Sequence, residues 1–160
     1  MTKKINKKIL SIILIFISFV LISAFIIEYR LGHLPCKLCL YERIPYFLSI
    51  FLIAKIFLTS GYEKITLLIL AIVFIASSIL AFYHFGIEQG FFKETLACTT
   101  DGLKEALSKE ELLKQLEQKT ISCKDVSFKI LGFSLAAINT IFSILLSVIF
   151  IRLFINYGKN

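Results

Sequence analysis

Four long apolar stretches, residues 9–27, 38–59, 65–87 and 130–155, constrain the fold of this chain more than any other feature. The first contains 19 consecutive apolar or small residues, which as a helix cross a hydrocarbon core of about 30 Å. Hydrophobic residues make up 58% of the chain, against about one half in soluble domains. The sequence therefore predicts an all-α membrane protein, built as a four-transmembrane-helix bundle.

The basic segment before the first stretch also occurs in cleaved secretory signals. The apolar part of such a signal is usually about 7–15 residues long and ends at a small-residue cleavage site. Phe25 to Tyr29 offers no such site. We therefore interpret the first stretch as an uncleaved transmembrane helix, and the whole chain, 1–160, as one membrane domain.

The charges predict how this domain lies in the membrane. The terminal segments, the turn at 60–64 and the adjoining helix ends contain eight Lys or Arg against Glu63 alone, whereas the 28–43 and 88–129 regions contain ten basic and ten acidic residues. Basic residues collect on the cytoplasmic side of membrane proteins. This predicts cytoplasmic termini and extracytoplasmic loops at about 28–37 and 88–129. The net charge of +7 then reflects topology, and no nucleic-acid partner is expected.

The segment 35–45 contains a Cys-x-x-Cys pair, Cys36 and Cys39, which is typical of a redox dithiol or of half a metal site. If a helix begins near Leu38, Cys39 lies in its first turn, where free N–H groups and the helix dipole favour a thiolate. Arg43, four residues later, would share its helix face. The pattern predicts that Cys39 is the reactive, low-pKa sulfur.

Two further cysteines, Cys98 and Cys123, fall on the same predicted side of the membrane, where disulfides persist. Two inert structural disulfides are one interpretation. However, a bridge across two residues closes almost no loop, whereas one between Cys98 and Cys123 encloses 24 residues and constrains the loop by roughly 3–4 kcal/mol. A four-cysteine zinc site normally has two Cys-x-x-Cys pairs, so no metal site is expected.

The segment between these two cysteines has amphipathic patterning. Asp101 is a possible helix cap, and Ser108 and Glu111 have capping-box spacing before a leucine-rich run. This favours two short helices on the membrane surface. A solvated charged linker is an equally consistent interpretation.

Four segments, taken together, resemble the DsbB family of bacterial inner-membrane, multi-pass enzymes: residues 35–43, 83–88, 97–98 and 131–139. Those enzymes reoxidise the periplasmic disulfide donor DsbA, a step in periplasmic protein folding, and pass its electrons to a quinone. The resemblance covers about residues 10–155. Phe128 and Ile138 depart from it, since the family often has Trp at such places.

The resemblance implies two redox-active disulfides. Cys36 and Cys39 would be the quinone-proximal pair, with Cys39 reacting with the quinone ring beside Arg43. Cys98 would form the mixed disulfide with a DsbA-like thioredoxin-fold protein, and Cys123 would be its disulfide partner. The implied cofactor is ubiquinone or menaquinone from the membrane quinone pool.

His84 and Glu88 match a recurrent family pattern at the outer end of the third stretch. His84 is either a structural hydrogen-bonding residue or a quinone-binding residue that delivers protons, since histidine titrates near neutral pH. The residues and the resemblance together predict a quinone-reducing, disulfide-generating oxidoreductase.

Two alternatives remain. One is a non-catalytic membrane scaffold with inert disulfides. The other is a vitamin K epoxide reductase-like quinone reductase, a class in which the loop cysteines precede the Cys-x-x-Cys pair. The order is reversed here, which favours the DsbB resemblance.

Overall fold

The computed structural model describes residues 7–59, 61–93, 98, 122–124, 129–130 and 132–157. These residues form five helices and one short antiparallel ladder: α1 Lys7–Tyr29, α2 Lys37–Tyr41, α3 Ile44–Leu58, α4 Glu63–Glu88, β1 Lys129–Ile130, β2 Phe133–Ser134 and α5 Leu135–Ile155. The all-helical prediction is confirmed apart from the ladder. The amphipathic helices predicted between residues 101 and 116 lie outside the described residues.

Three of the helices are long and apolar enough to cross a membrane: α1, α4 and α5, with 23, 26 and 21 residues. Many of their large apolar side chains point outward, among them Ile12, which is 67% exposed, and Ile79, which is 65% exposed. An outward apolar surface on helices that satisfy their own backbone hydrogen bonds suits lipid as the surrounding solvent. The chain is therefore a membrane protein.

The second apolar stretch is not one helix, and the continuous helix predicted over 38–59 is wrong. It divides into α2, with five residues, and α3, with 15. Pro45, in the first turn of α3, has no N–H with which to continue the hydrogen-bond ladder. At about 1.5 Å per residue, α3 is only about 22 Å long. A fourth crossing therefore remains a prediction.

The last helix starts later than the predicted apolar stretch, at Leu135 and not at residue 130. Lys129–Ile130 and Phe133–Ser134 instead pair as the short antiparallel ladder, and Gly132, just before β2, has φ +88°, a conformation that glycine adopts without a steric penalty. The Ser134 side chain then caps α5 by accepting a hydrogen bond from the Ala137 N–H at 3.2 Å.

The core forms where α4 and α5 pack along each other. Phe74 of α4 stacks on Phe150 of α5, with ring centroids 5.6 Å apart, and meets Tyr46 of α3 edge to face at the same distance. The Ser77 and Ser143 hydroxyls share a buried hydrogen bond of 3.0 Å between the two long helices. This core fixes the end of α4 next to α2 and the start of α5.

Candidate redox site

The Cys-x-x-Cys pair lies at the start of α2. Cys36 is the N-cap residue, and its sulfur accepts a hydrogen bond from the Cys39 N–H at 3.2 Å. The two sulfur atoms are 2.6 Å apart. Cys36 is buried and Cys39 is partly exposed. The short helix therefore holds two thiols within reach of a mutual bond.

The second pair, Cys98 and Cys123, forms a disulfide with a Cα–Cα distance of 5.2 Å. Both residues are buried in one apolar cluster with Cys36, and Cys39 packs against that cluster. The structure thus brings all four predicted cysteines together, although 58 residues lie between Cys39 and Cys98 in the chain.

A chain of hydrogen bonds leads away from the first pair. The Cys36 sulfur lies 3.4 Å from His84 Nε2, and His84 Nδ1 lies 2.7 Å from Glu42 Oε1. The other Glu42 oxygen accepts a hydrogen bond from Asn139 Nδ2 at 2.7 Å, and the Tyr46 hydroxyl donates to Asn139 Oδ1. Residues from α3, α4, α5 and the α2–α3 junction are thereby joined through one buried carboxylate.

These contacts place the negative charge of the reduced pair on Cys36. The Cys39 thiol donates to its sulfur, which lowers the pKa of Cys36; burial opposes this, and His84 lowers it further, leaving the pKa at about 5. The prediction that Cys39 carries the stabilised thiolate is therefore wrong for the reduced pair. Neither the N-cap position of Cys36 nor its contact with His84 was predicted from the sequence.

Arg43 does not share a helix face with Cys39, because α2 ends before it and Arg43 is the N-cap of α3. Its guanidinium instead forms an ion pair of 2.5 Å with Glu28 of α1. It also lies over the Phe25 ring, 5.1 Å from the ring centroid. Arg43 is thus a cation fixed between α1 and α3.

A cavity of about 410 Å³ opens beside the Cys-x-x-Cys pair, within the usual size range for small-molecule sites. Its walls are mostly apolar side chains of α1 and α5. A few chemically active groups also line it, among them Cys36, Cys39, Arg43, His84, Glu88 and Cys123. The structure therefore places Arg43 and His84 at the same cavity as the first cysteine pair, as the resemblance implies.

Ligand atoms of Cys36, Cys39 and His84 lie within 4.8 Å of one another, which is close enough to consider a metal ion. Two thiolates bound to one tetrahedral zinc at about 2.3 Å would be roughly 3.8 Å apart. The observed sulfur separation of 2.6 Å is much shorter. The pair is therefore arranged for forming a bond between its sulfurs and not for sharing an ion.

Sequence reasoning missed three residues of the site: Glu42, Asn139 and Tyr46. Both Glu42 oxygens are engaged, one by His84 and the other by Asn139. An acidic residue within an apolar stretch is a functional signal in membrane proteins, and that signal could have identified it. Tyr46 and Asn139 gave no comparable signal.

Helices suited to a membrane, two adjoining cysteine pairs and an apolar cavity beside one of them define the class of membrane thiol–disulfide proteins. The family model described as disulfide bond formation protein DsbB matches residues 6–153. The chain belongs to the DsbB family. It is also 33% identical over 161 residues, 99% of this chain and 93% of the relative, to an uncharacterized protein of Rickettsia prowazekii (strain Madrid E). No solved structure matches the chain significantly.

Proposed function

We propose that this protein reoxidises a periplasmic DsbA-like dithiol protein and transfers the electrons to a membrane quinone. The observation that carries the proposal is the shared buried cluster of the two cysteine pairs, of which the Cys-x-x-Cys pair also borders an apolar cavity. One pair thereby serves a soluble thiol protein, and the other serves a molecule dissolved in the bilayer.

The proposed topology is that of one domain over 1–160 in the bacterial inner membrane. The chain crosses the membrane four times, with α2 and α3 together forming the second crossing. Both termini are cytoplasmic, as the charge distribution predicts. Both cysteine pairs then face the periplasm.

The first exchange takes place at the loop disulfide. A thiolate of the partner attacks the Cys98 sulfur and breaks its bond to Cys123, which leaves as a thiolate. The partner's second thiol then displaces Cys98 from the mixed disulfide. The partner gains a disulfide, and Cys98 and Cys123 gain two electrons and become a dithiol.

The second exchange moves the two electrons inward. The Cys123 thiolate attacks Cys36 in the oxidised Cys36–Cys39 pair, and Cys39 leaves as a thiolate. Cys98 then displaces Cys36 and restores the loop disulfide. Cys36 and Cys123 lie in the same buried cluster and both line the cavity, which supports this order. The exchange leaves the Cys36–Cys39 pair reduced, with the partly exposed Cys39 sulfur at the cavity wall.

The cavity fits a quinone head group in size and in its largely apolar walls. A bound quinone supplies an acceptor for two electrons and two protons. Cys39 delivers the electrons at the cavity wall, Arg43 holds a fixed positive charge there, and His84 holds a proton between Cys36 and Glu42. The quinone is ubiquinone or menaquinone.

Trapping the partner tests this proposal. A DsbA-like protein whose second active-site cysteine is replaced by alanine can attack the Cys98–Cys123 disulfide but cannot displace Cys98 afterwards, so a covalent complex with the full chain should accumulate in cells and should be reversed by dithiothreitol. Mass spectrometry should identify a thioredoxin-fold protein joined to Cys98. The matched control, Cys98→Ser, should give no complex. Absence of any adduct between the full chain and the single-cysteine partner would support inert structural disulfides instead.

A further inference from the structure

Glu88, the last residue of α4, has a polar atom that the redox steps above leave unexplained. Its side chain is only 7% exposed. Its Oε2 is the one buried side-chain oxygen or nitrogen without a hydrogen-bond partner within the part of the chain that the structure describes. Glu88 also borders the cavity. A buried oxygen without a hydrogen-bond partner costs free energy. The unpaired Glu88 Oε2 therefore indicates a ligand that forms a hydrogen bond with it.

The neighbouring polar groups do not satisfy this oxygen. His84 Nε2 is 3.9 Å from the other oxygen, Oε1, which is longer than a hydrogen bond. The side chain of Ser134 interacts with the carboxyl group, but Oε2 still has no partner. Arg43, the cation at the cavity, is held by Glu28.

The chemistry of a quinone complements this carboxyl group. A quinone carbonyl accepts hydrogen bonds and cannot donate them, so a carboxyl group pairs with it only when it carries a proton. We propose that Glu88 holds a proton at Oε2 and donates it to a carbonyl oxygen of the quinone. This inference rests on the proposed function and adds to it the residue that supplies one proton.

The position of His84 completes the proton balance. Oxidation of the Cys36–Cys39 dithiol to its disulfide releases two electrons and two protons, and reduction of a quinone takes up two of each. His84 Nε2 lies 3.4 Å from the Cys36 sulfur and 3.9 Å from Glu88 Oε1. The proton that Cys36 loses on ionisation can therefore be held at His84 Nε2 and replace the one that Glu88 gives up.

Infrared difference spectroscopy tests the contact without turnover. Ubiquinone-1 or menadione is added to the full-length, fully oxidised protein in nanodiscs. The C=O stretch of a protonated carboxyl group should shift to lower frequency as its O–H begins to donate, and this band should be missing in Glu88→Gln. The control is Glu63→Gln at the other end of α4, where the carboxylate accepts from Tyr157 at 3.2 Å outside the cavity. That variant should retain the shifting band.

Binding and turnover separate a proton donor from a structural residue. Glu88→Gln keeps a hydrogen-bond donor, so the quinone Kd should change less than about threefold while kcat falls roughly 100-fold, a typical loss for a general acid. Glu88→Leu removes the donor, so the Kd should rise as well. Both variants should still exchange disulfides with a reduced thioredoxin-fold protein at Cys98.

The outcomes distinguish this inference from the proposed function. Quinone binding to the wild type without a shifting carboxyl band, or Glu88→Gln with a normal kcat, would overturn the role of Glu88 alone. A wild-type protein that binds neither quinone would overturn both. A shifting band that Glu88→Gln removes, combined with a loss confined to kcat, is the result that we expect.

Discussion

The His84 Nδ1 atom lies 2.7 Å from Glu42 Oε1, with both side chains almost fully buried. On the opposite side of the ring, His84 Nε2 faces the Cys36 sulfur at 3.4 Å. A thiol, an imidazole and a carboxylate in this order form the arrangement that activates nucleophilic cysteines. The contact joins the end of α4 to the α2–α3 junction. The hydrogen bond from Cys39 lowers the pKa of Cys36 most, and His84 lowers it further, so that Cys36 is the ionised sulfur of the reduced pair.

Replacement of His84 should make Cys36 less acidic. In His84→Gln, the reduced Cys36 keeps its hydrogen bond from Cys39 but loses its imidazole partner, so its pKa should rise from about 5 without reaching the usual value of about 8.5. Alkylation of Cys36 by iodoacetamide at pH 6, followed by peptide mass spectrometry, should slow at least tenfold. His33→Gln is the control and should leave the rate unchanged. An unchanged alkylation rate in His84→Gln would show that His84 does not lower the pKa of Cys36.

The reduction potential of the Cys36–Cys39 pair should depend on pH in two regimes. The folded pKa of Cys36, about 5, is depressed, so its thiolate stabilises the reduced protein above the unfolded pKa of about 8.5 and loses this effect as the pH falls through 5. Between those values reduction takes up one proton for two electrons, and the potential should fall by about 30 mV per pH unit.

Below pH 5 both sulfurs are protonated on reduction, and the slope should double to about 59 mV per pH unit. Redox titration against glutathione, in a Cys98→Ala/Cys123→Ala background, measures both slopes. A single slope of about 59 mV per pH unit from pH 4 to pH 8 would show that neither thiol is ionised in that range.

The bundle should depend strongly on Phe74. This ring is fully buried and contacts both Tyr46 and Phe150, so Phe74→Ala should lower the free energy of unfolding by about 3–5 kcal/mol. Phe51→Ala is the control, because Phe51 is 72% exposed and faces the surrounding lipid or detergent. Thermal unfolding in detergent measures the difference. Equal losses in the two variants would contradict the packing of α3, α4 and α5.

Arg43 should contribute to quinone affinity. Arg43→Ala removes the fixed cation from the cavity wall, and loss of one hydrogen bond to a charged group, about 1.5–3 kcal/mol, corresponds to a Kd at least tenfold higher. Glu28→Gln keeps the Arg43 cation but removes the ion pair that positions it, so a smaller increase in the quinone Kd is expected. Equilibrium titration with ubiquinone-1 measures both. An unchanged Kd in Arg43→Ala would exclude Arg43 from the quinone site.

The long helices could be predicted from sequence because hydropathy is a local property. The apolar stretches at 9–27 and 65–87 correspond to α1 and α4 to within about two residues at each end. The prediction of one continuous helix over 38–59 was wrong because hydropathy does not register the missing N–H of Pro45. The predicted start of the fourth helix was wrong, because Lys129–Ile130 and Phe133–Ser134 pair as an antiparallel ladder before α5.

The site could be predicted only in part. The four cysteines were identifiable from their spacing and their side of the membrane, and Arg43 and His84 from the family pattern. Which sulfur of the first pair is ionised could not be predicted, because it depends in part on His84. That residue is 48 positions from Cys36 in the chain and adjacent to it in space. Glu42 likewise acquires its role from contacts with two distant helices.

Quinone reduction by a Cys39→Ser variant tests whether Cys39 passes the electrons to the quinone. The assay supplies a reduced thioredoxin-fold protein as electron donor and ubiquinone-1 as acceptor, and it follows quinone absorbance. We expect the variant to remain inserted in the membrane and to exchange disulfides at Cys98, but to reduce no quinone. Quinone reduction at the wild-type rate by Cys39→Ser would show that the quinone does not receive its electrons from Cys39.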